Sequence, residues 1–312
     1  MSATLTPKTT TGTPTSSTTP TKRRRGNPAT RSEARAAYFF LLPAFILMVM
    51  FLVIPVLMSF TLGFTNARLG AATSPENVGF ANFLRALRDD PTFWDALRNI
   101  AVFVLVVVPL QGGLALVLAL LINQKLRGIT AFRVLFFMPV VTSMVVVAML
   151  WKFMYQREGL INALFGFDVD WLNNPSTALP AVIVMSVWQG VGFHMIIWLA
   201  GLQTINQELY EAASIDGASR WQQFREVTLP GLRPTFVFIF ITITISAFSL
   251  FTQIDVMTSG GPTNATTTLV YHIIQMGSGR GDVGYASALS LIFFVIVLMV
   301  TLIQRALTKD ED

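Results

Sequence analysis

Long apolar runs dominate this chain of 312 residues and constrain its fold more than any other feature. A bilayer core about 30 Å thick needs roughly 20 apolar residues per helix, and runs of that length recur between polar segments. Charged residues make up only 12% of the sequence, too few to cover a soluble globule of this size. We therefore predict an all-α integral membrane protein with about six transmembrane helices, at Tyr38–Gly63, Ile100–Ile122, Phe132–Met149, Leu179–Leu199, Thr235–Asp255 and Tyr285–Ile303.

Four prolines fall inside or near these runs, at Pro43, Pro55, Pro109 and Pro139. A membrane helix tolerates proline because neighbouring helices and side chains can satisfy the carbonyl that loses its partner. These prolines predict kinks in the helices rather than breaks.

The segment before the first run is rich in Thr, Ser, Pro and Gly and carries a cluster of basic residues at 22–25. Such a composition cannot bury enough apolar surface to offset the entropy lost on ordering. Most of the 22 Lys and Arg residues lie on the same predicted side as this segment, which places both termini in the cytoplasm. We predict a disordered basic cytoplasmic tail at 1–36, a transmembrane domain at 37–305 and a short cytoplasmic tail at 306–312.

The sequence also disfavours several kinds of chemistry. It has no cysteine, which excludes disulfides, thiolate metal sites and cysteine nucleophiles, and its two histidines, His194 and His272, show no paired metal-ligand spacing. No phosphate-binding GxxxxGK[ST] loop occurs, so ATP hydrolysis would need a separate subunit. We predict that the chain is not an enzyme and holds no metal or cofactor.

The longest polar segment between spans on the predicted cytoplasmic side is Glu208–Pro234. Its pattern predicts a short helix at Glu208–Ile215, a turn at Gly217 and a second helix at Ala218–Thr228 with an apolar face. Periodicity alone fits two interpretations equally well. The pair could dock in a groove on a soluble partner, or it could rest on lipid headgroups.

The residues of this loop resemble the EAA motif of permeases from binding-protein-dependent ABC importers. The matching positions are Glu211, Ala212, Ala213, Asp216, Gly217, Ala218, Phe224, Val227, Leu229, Pro230 and Pro234. The resemblance implies that a coupling loop at 206–230 sits in a cleft of a cytoplasmic ATPase subunit, with Glu211 and the turn at Gly217 important to the contact. The ATPase-coupling residues that it implies are Glu211, Ala212, Ala213, Asp216, Gly217, Ala218, Phe224, Leu229 and Pro230.

The resemblance extends over most of the chain, from Leu41 to Gln304, and favours the carbohydrate branch of the family, which includes glycerol-3-phosphate and maltose-type systems. The segments that carry it are AFRVLFFMPVV at 131–141, GLIN at 159–162, WLAGLQTI at 198–205, SGGPTNATTTL at 259–269 and GYASALS at 284–290. One departure is Gln253 with Asp255, where many sugar permeases carry an Asp and an aromatic residue.

This resemblance implies a transmembrane permease subunit that moves a sugar or polyol-phosphate-type solute inward by ATP-driven alternating access, in a bacterial inner membrane. The implied partners are a paralogous second permease subunit, two copies of a cytoplasmic ATPase that binds ATP and Mg, an extracytoplasmic solute-binding protein and the lipid bilayer, with no nucleic acid. A secondary transporter of a small polar solute is the alternative function.

Polar residues inside the predicted spans are the candidates for contact with a solute. In a continuous fifth helix, Thr242, Ser246, Ser249 and Gln253 would share one face, although Ser and Thr can also serve helix packing. Asp255 could contact the solute or end the helix in water. The predicted pathway residues are Gln111, Ser186, Trp188, Gln189, His194, Thr242, Ser246, Ser249, Gln253 and Asp255.

Overall fold

The structure is a computed structural model that describes residues 28–124 and 128–308. These residues form helices joined by loops. In chain order the helices are α1 Pro28–Met48, α2 Ile54–Leu62, α3 Ala81–Arg88, α4 Pro91–Ile122, α5 Ile129–Val141, α6 Met144–Met154, α7 Leu160–Phe165, α8 Pro175–Thr204, α9 Gln207–Ile215, α10 Arg220–Gln223, α11 Leu229–Gly231, α12 Arg233–Phe248, α13 Thr252–Met257, α14 Leu269–Ile274 and α15 Val283–Thr308.

Among the described residues, four helical stretches are long and apolar enough to span a bilayer, and two further spans exist if each bent pair of helices counts as one. The unbroken stretches are Glu33–Leu62, Pro91–Ile122, Pro175–Thr204 and Val283–Ala306. In the first of them, a π-helical turn at Val49–Val53 joins α1 to α2. Each of the predicted runs therefore coincides with a span or with a bent pair. The predicted helical membrane fold is confirmed.

The chain divides into two compact units, residues 1–55 and 56–312. In the first unit, residues 28–36 are helical, whereas the sequence predicted them as part of a disordered tail. Alanine and arginine make up more than half of this segment, and their high helix propensity extends the membrane helix toward its amino terminus. The rest of the predicted tail, residues 1–27, lies outside the described residues. So do 309–312 of the predicted carboxyl-terminal tail, while α15 continues as far as Thr308.

In the second unit, α4 and α8 form the most extensive helix pair, and α12 packs against both. Each helix of the pair begins with a side-chain cap followed by proline. Asp90 accepts hydrogen bonds from the backbone N–H groups of Thr92 and Phe93, and Asn174 accepts one from Ser176 N–H. Proline fits the first helical position because its missing N–H has no partner there.

The prolines behave in two ways. Pro109 lies inside α4, and the helix continues through it. By contrast, the chain bends by 99° between α5 and α6, shortly after Pro139. Here the prediction of a kink is wrong. Thr142 adopts extended backbone angles, and α6 starts again at Met144 in a new direction.

The predicted fifth span is also discontinuous. Its helix, α12, ends at Phe248 rather than at Asp255, and α13 begins only at Thr252. The interruption lies between two apolar stretches without glycine or proline. A long-range hydrogen bond stabilises it, since Thr268 donates its hydroxyl proton to the carbonyl of Leu250 at 2.8 Å. The prediction that Thr242, Ser246, Ser249 and Gln253 share one helix is therefore wrong at its carboxyl-terminal end.

Candidate functional site

A cavity of about 480 Å³ lies between α4, α8 and the interruption that follows α12. Volumes of a few hundred Å³ are typical of small-molecule sites. We call it the central cavity. Its lining residues are Phe103, Val107, Gln111, Val140, Met144, Ser186, Gln189, Gly190, Phe193, His194, Ile243, Ile245, Ser246, Ala247, Ser249, Leu250, Thr252 and Gln253.

The structure brings most of the predicted pathway residues together at this cavity, from four separate helices and the interruption. Those that line it are Gln111, Ser186, Gln189, His194, Ser246, Ser249 and Gln253. Thr252 lines it too and was missed, because the sequence pattern gave no sign that a new helix begins at that residue.

Three predicted pathway residues do not line the central cavity. The indole of Trp188 packs against that of Trp151, with ring centroids 5.4 Å apart. Thr242 directs its hydroxyl to the carbonyls of Phe238 and Ile239 in its own helix. Asp255 is exposed on α13, beyond the interruption.

A hydrogen bond joins α4 to α8 at the cavity wall, where Gln111 Nε2 lies 2.9 Å from His194 Nδ1. The same nitrogen of His194 lies 3.1 Å from the carbonyl oxygen of Gly190. A neutral imidazole nitrogen either donates or accepts, so Nδ1 satisfies one of these two contacts. Glycine at position 190 makes room for this arrangement, since an added Cβ would lie 2.6 Å from Gln111 Nε2.

Two polar atoms of cavity-lining residues have no hydrogen-bond partner in the part of the chain that the structure describes. They are Ser186 Oγ and His194 Nε2, and both side chains are buried. Leaving a buried polar group without a partner costs about 1–3 kcal/mol, so native proteins rarely do so. The two unsatisfied atoms are inaccessible to solvent and lie within the wall of the cavity.

The predicted coupling loop forms a compact helical pair. Gly217 has a φ of +75°, a conformation that disfavours any residue with a Cβ, and it makes the turn between α9 and α10. Tyr210 of α9 and Thr228 share a hydrogen bond of 2.9 Å between their hydroxyls. Ser219 and Gln222 form a capping box at the start of α10, which the Ser-x-x-Gln spacing could have revealed.

The predicted coupling residues are distributed over an exposed and a half-buried part of this pair. Glu211, Ala212, Asp216, Gly217, Leu229 and Pro230 are exposed, while Ala213, Ala218 and Phe224 are half-buried. Ile215 is also exposed, at 87%, and was not predicted from the sequence as part of the loop surface. Trp221, which the spacing predicts on the apolar face of the second helix together with Phe224 and Val227, is 68% exposed. The pair thus presents acidic and large apolar side chains side by side.

Both ends of the loop leave from helices that line the central cavity. At the end of α8, a Cβ added to Gly201 would collide with the side chain of Thr235 at the start of α12. A Cβ added to Gly231 would lie 3.0 Å from the side chain of Ile205. Glycine at these two positions therefore lets the end of α8 pack closely against the segment that leads into α12.

A buried polar network, which the sequence did not reveal, joins α4 to α14 and α15. Asp90 Oδ2 accepts a hydrogen bond from the Tyr285 hydroxyl at 2.6 Å and lies 2.7 Å from His272 Nε2. Arg85 stacks on the Tyr285 ring at 3.9 Å and pairs with Asp282 at 2.8 Å. Burial acts to raise the pKa of Asp90, but the hydrogen bonds from Tyr285 and His272 outweigh it, so its pKa lies below the ordinary value.

A second cavity, of about 460 Å³, lies beside Gly112 and Gly113 of α4 and is lined mostly by apolar side chains. Trp198 donates its indole N–H to the Gly112 carbonyl at 3.1 Å and forms part of the lining. Such a lining offers few partners to a polar solute, so the central cavity is the stronger candidate for a solute site.

Comparison with known proteins places the chain in a family. The family described as binding-protein-dependent transport system inner membrane component matches residues 111–311. The probable ABC transporter permease protein YesP of Bacillus subtilis is 37% identical over 281 residues, which cover 88% of this chain and 90% of the relative. The lactose transport system permease protein LacF of Rhizobium radiobacter is 36% identical, over 86% of this chain and 91% of the relative.

The trehalose/maltose transport system permease protein MalF of Thermococcus litoralis is 34% identical, over 87% of this chain and 92% of the relative. Among solved structures, a bacterial ABC transporter involved in the import of the acidic polysaccharide alginate contains a chain that is 25% identical, with a TM-score of 0.75 over 91% of this chain and all of that one. This protein is therefore an integral membrane protein and a permease subunit, belonging to the family of inner-membrane components of binding-protein-dependent transport systems.

Proposed function

We propose that this chain forms half of the pathway of an ABC importer and moves a sugar or polyol-phosphate-type solute inward by ATP-driven alternating access. The observation that carries the proposal is the connection between the coupling loop and the central cavity. The loop continues directly from α8 and into α11 and α12, and both α8 and α12 contribute polar residues to the cavity.

In this proposal, ATP-driven closure of two cytoplasmic ATPase subunits displaces the loop. ATP and Mg are bound by those subunits rather than by this chain. The chain bends by 66° between the helical segments Arg220–Gly231 and Arg233–Phe248, and Leu232 at this bend is buried. A force applied to the loop therefore acts close to a bend and reaches the cavity along α12.

The remaining partners follow from the same scheme. A paralogous permease subunit supplies the other half of the pathway. An extracytoplasmic binding protein delivers the solute to the loops within 66–94, 152–177 and 258–284. Both termini then lie in the cytoplasm, and the membrane is the bacterial inner membrane. The named relatives support a carbohydrate substrate, since two of them are permeases of lactose and trehalose/maltose systems.

The experiment that tests this function is ATP hydrolysis and solute uptake by the complex reconstituted in proteoliposomes. Glu211→Ala removes an exposed charge from the loop, and Gly217→Pro imposes a φ near −65° where the structure has +75°. We expect both variants to assemble with the ATPase and to lose at least tenfold in uptake and in solute-stimulated hydrolysis. Glu226→Ala, an exposed glutamate of the same loop outside the motif, is the matched control.

Wild-type activities in both variants would contradict the coupling role of the loop. Uptake that continues without ATP and follows an ion gradient would instead indicate a secondary transporter.

A further inference from the structure

The wall of the central cavity is polar but uncharged. It contains glutamine, serine, threonine and histidine side chains together with apolar ones, and no Asp, Glu, Lys or Arg is among its lining residues. The solved relative that imports acidic alginate shares the fold. The fold therefore does not fix the charge of the solute, and the side chains of the cavity must do so.

An anionic solute would meet no cation in this wall. Lys152 is exposed at the end of α6, where its ammonium group donates to the carbonyl of Val256 at 2.8 Å. Arg233 belongs to the lining of the separate apolar cavity. Taking a carboxylate or phosphate out of water without a positive partner is strongly unfavourable, and no charged side chain in this wall compensates for the lost hydration.

A neutral polyhydroxylated solute matches the same wall well. The amides of Gln111, Gln189 and Gln253 each offer donors and an acceptor, as hydroxyl groups require. The unpartnered Ser186 Oγ and His194 Nε2 belong to residues of this wall. Both atoms are inaccessible to solvent, so they can bond a solute only after their side chains reorient.

We propose that the central cavity selects neutral sugars and rejects their uronic acid and phosphate counterparts. This inference rests on the proposed function and narrows it, because it excludes the polyol phosphates that the family resemblance admits. The part of the selection that this chain supplies lies in its wall of the cavity and acts independently of the binding protein.

The test uses saturation-transfer NMR to measure solute binding to the detergent-solubilised complex without binding protein. Two pairs of probes, glucose with glucuronate and galactose with galacturonate, differ only in the oxidation of one CH₂OH to a carboxylate. A third pair, glycerol with glycerol 3-phosphate, differs by one phosphate group. We expect the neutral sugars to bind at least tenfold more tightly than their uronates. Equal or tighter binding of a uronate or of glycerol 3-phosphate would overturn the inference.

A charge placed in the wall locates the selection. Gln253→Lys puts a cation at the central cavity, whereas Thr242→Lys puts one on α12 outside its lining. We expect the ratio of neutral to uronate affinity to fall at least tenfold in Gln253→Lys and to stay unchanged in Thr242→Lys. An unchanged ratio in Gln253→Lys would refute the assignment of selection to this cavity.

ATP-driven uptake by the same complexes separates this inference from the proposed function. Uptake of glucuronate or glycerol 3-phosphate overturns only the preference for neutral solutes. Failure to take up any carbohydrate, neutral or anionic, overturns the function and the preference together.

Discussion

The central cavity has two unlike walls. On one side, α4 and α8 are continuous helices packed along their length, and we call them the fixed wall. On the other side, the interruption between α12 and α13 faces the cavity, and α13 packs against α6, which itself follows a break. We call α6, α13 and this interruption the broken wall.

The two walls differ in the hydrogen-bond partners of their backbone N–H and C=O groups. A continuous helix pairs its own N–H and C=O groups, whereas an interrupted helix must find other partners for them. In the broken wall, side chains distant in sequence supply these partners. Thr268 donates a hydrogen bond to the carbonyl of Leu250, and Lys152 donates one to the carbonyl of Val256. Such single bonds can be exchanged during a conformational change without unfolding a helix, so we expect movement in the broken wall and not in the fixed one.

The largest expected effect comes from breaking the fixed wall. A Cβ at Gly192 would collide with the backbone carbonyl of Phe136 in α5. A side chain could adopt another rotamer to relieve such a collision, but a helical backbone cannot. Overpacking of this kind costs about 1–3 kcal/mol, and we expect Gly192→Ala to lie at the upper end. Thermal unfolding of the purified protein in detergent measures this.

The matched control is Gly113→Ala on the other helix of the fixed wall, where an added Cβ meets no atom within 4 Å. It should leave the unfolding temperature unchanged or raise it, since alanine favours a helix over glycine. An equal loss of stability in both variants would show that the close contact of α8 with α5 does not determine the stability of the fixed wall.

A smaller effect is expected at the interruption of the broken wall. Thr268→Val keeps the shape of a buried side chain but leaves the carbonyl of Leu250 without its partner, and it also removes the acceptor for the Tyr271 N–H that caps α14. We expect a cost of about 2 kcal/mol. Thr242→Val removes a hydroxyl that bonds only within its own helix, and should cost less. Hydrogen exchange at residues 249–252 should rise in the first variant and not in the second. Equal rates would contradict the role of Thr268.

The tie between α6 and α13 should affect transport more than folding. Lys152→Met removes the exposed bond from the ammonium group to the Val256 carbonyl and costs about 1 kcal/mol. If the broken wall moves, this change alters the balance between its states, and basal ATP hydrolysis of the complex shifts several-fold at nearly constant unfolding temperature. A change in unfolding temperature without a change in hydrolysis would show that the bond is only structural.

The smallest effect near neutral pH concerns Asp90, which caps the fixed wall. Its pKa is lower in the folded protein than the ordinary 3.8, so its contribution to stability is complete above that value and is lost as the pH falls through the folded pKa. We expect the unfolding temperatures of wild type and Asp90→Asn to converge only below pH 4. A difference that already varies between pH 5 and 7 would point to another group in the network.

Sequence alone predicted what depends on local patterns. The spans follow from runs of apolar residues, and the turn at Gly217 from a glycine between two helical segments. It could not predict the interruption after Phe248, because Thr268 stabilises it from a distant part of the chain. The same limit explains why Asp255 lies outside the cavity, since it follows the interruption. Thr242 is a different case, because its hydroxyl bonds to carbonyls of its own helix.

Gly190 is a position at which a substitution could change the shape of the central cavity. Its missing side chain is the space that the amide of Gln111 occupies, and that amide lines the central cavity. An alanine at this position would push the Gln111 amide away from α8 and so change the shape of the central cavity. It would not replace any hydrogen-bonding group that lines the cavity. A designer who wants a transporter of altered size preference could therefore start with the one lining residue that has no side chain.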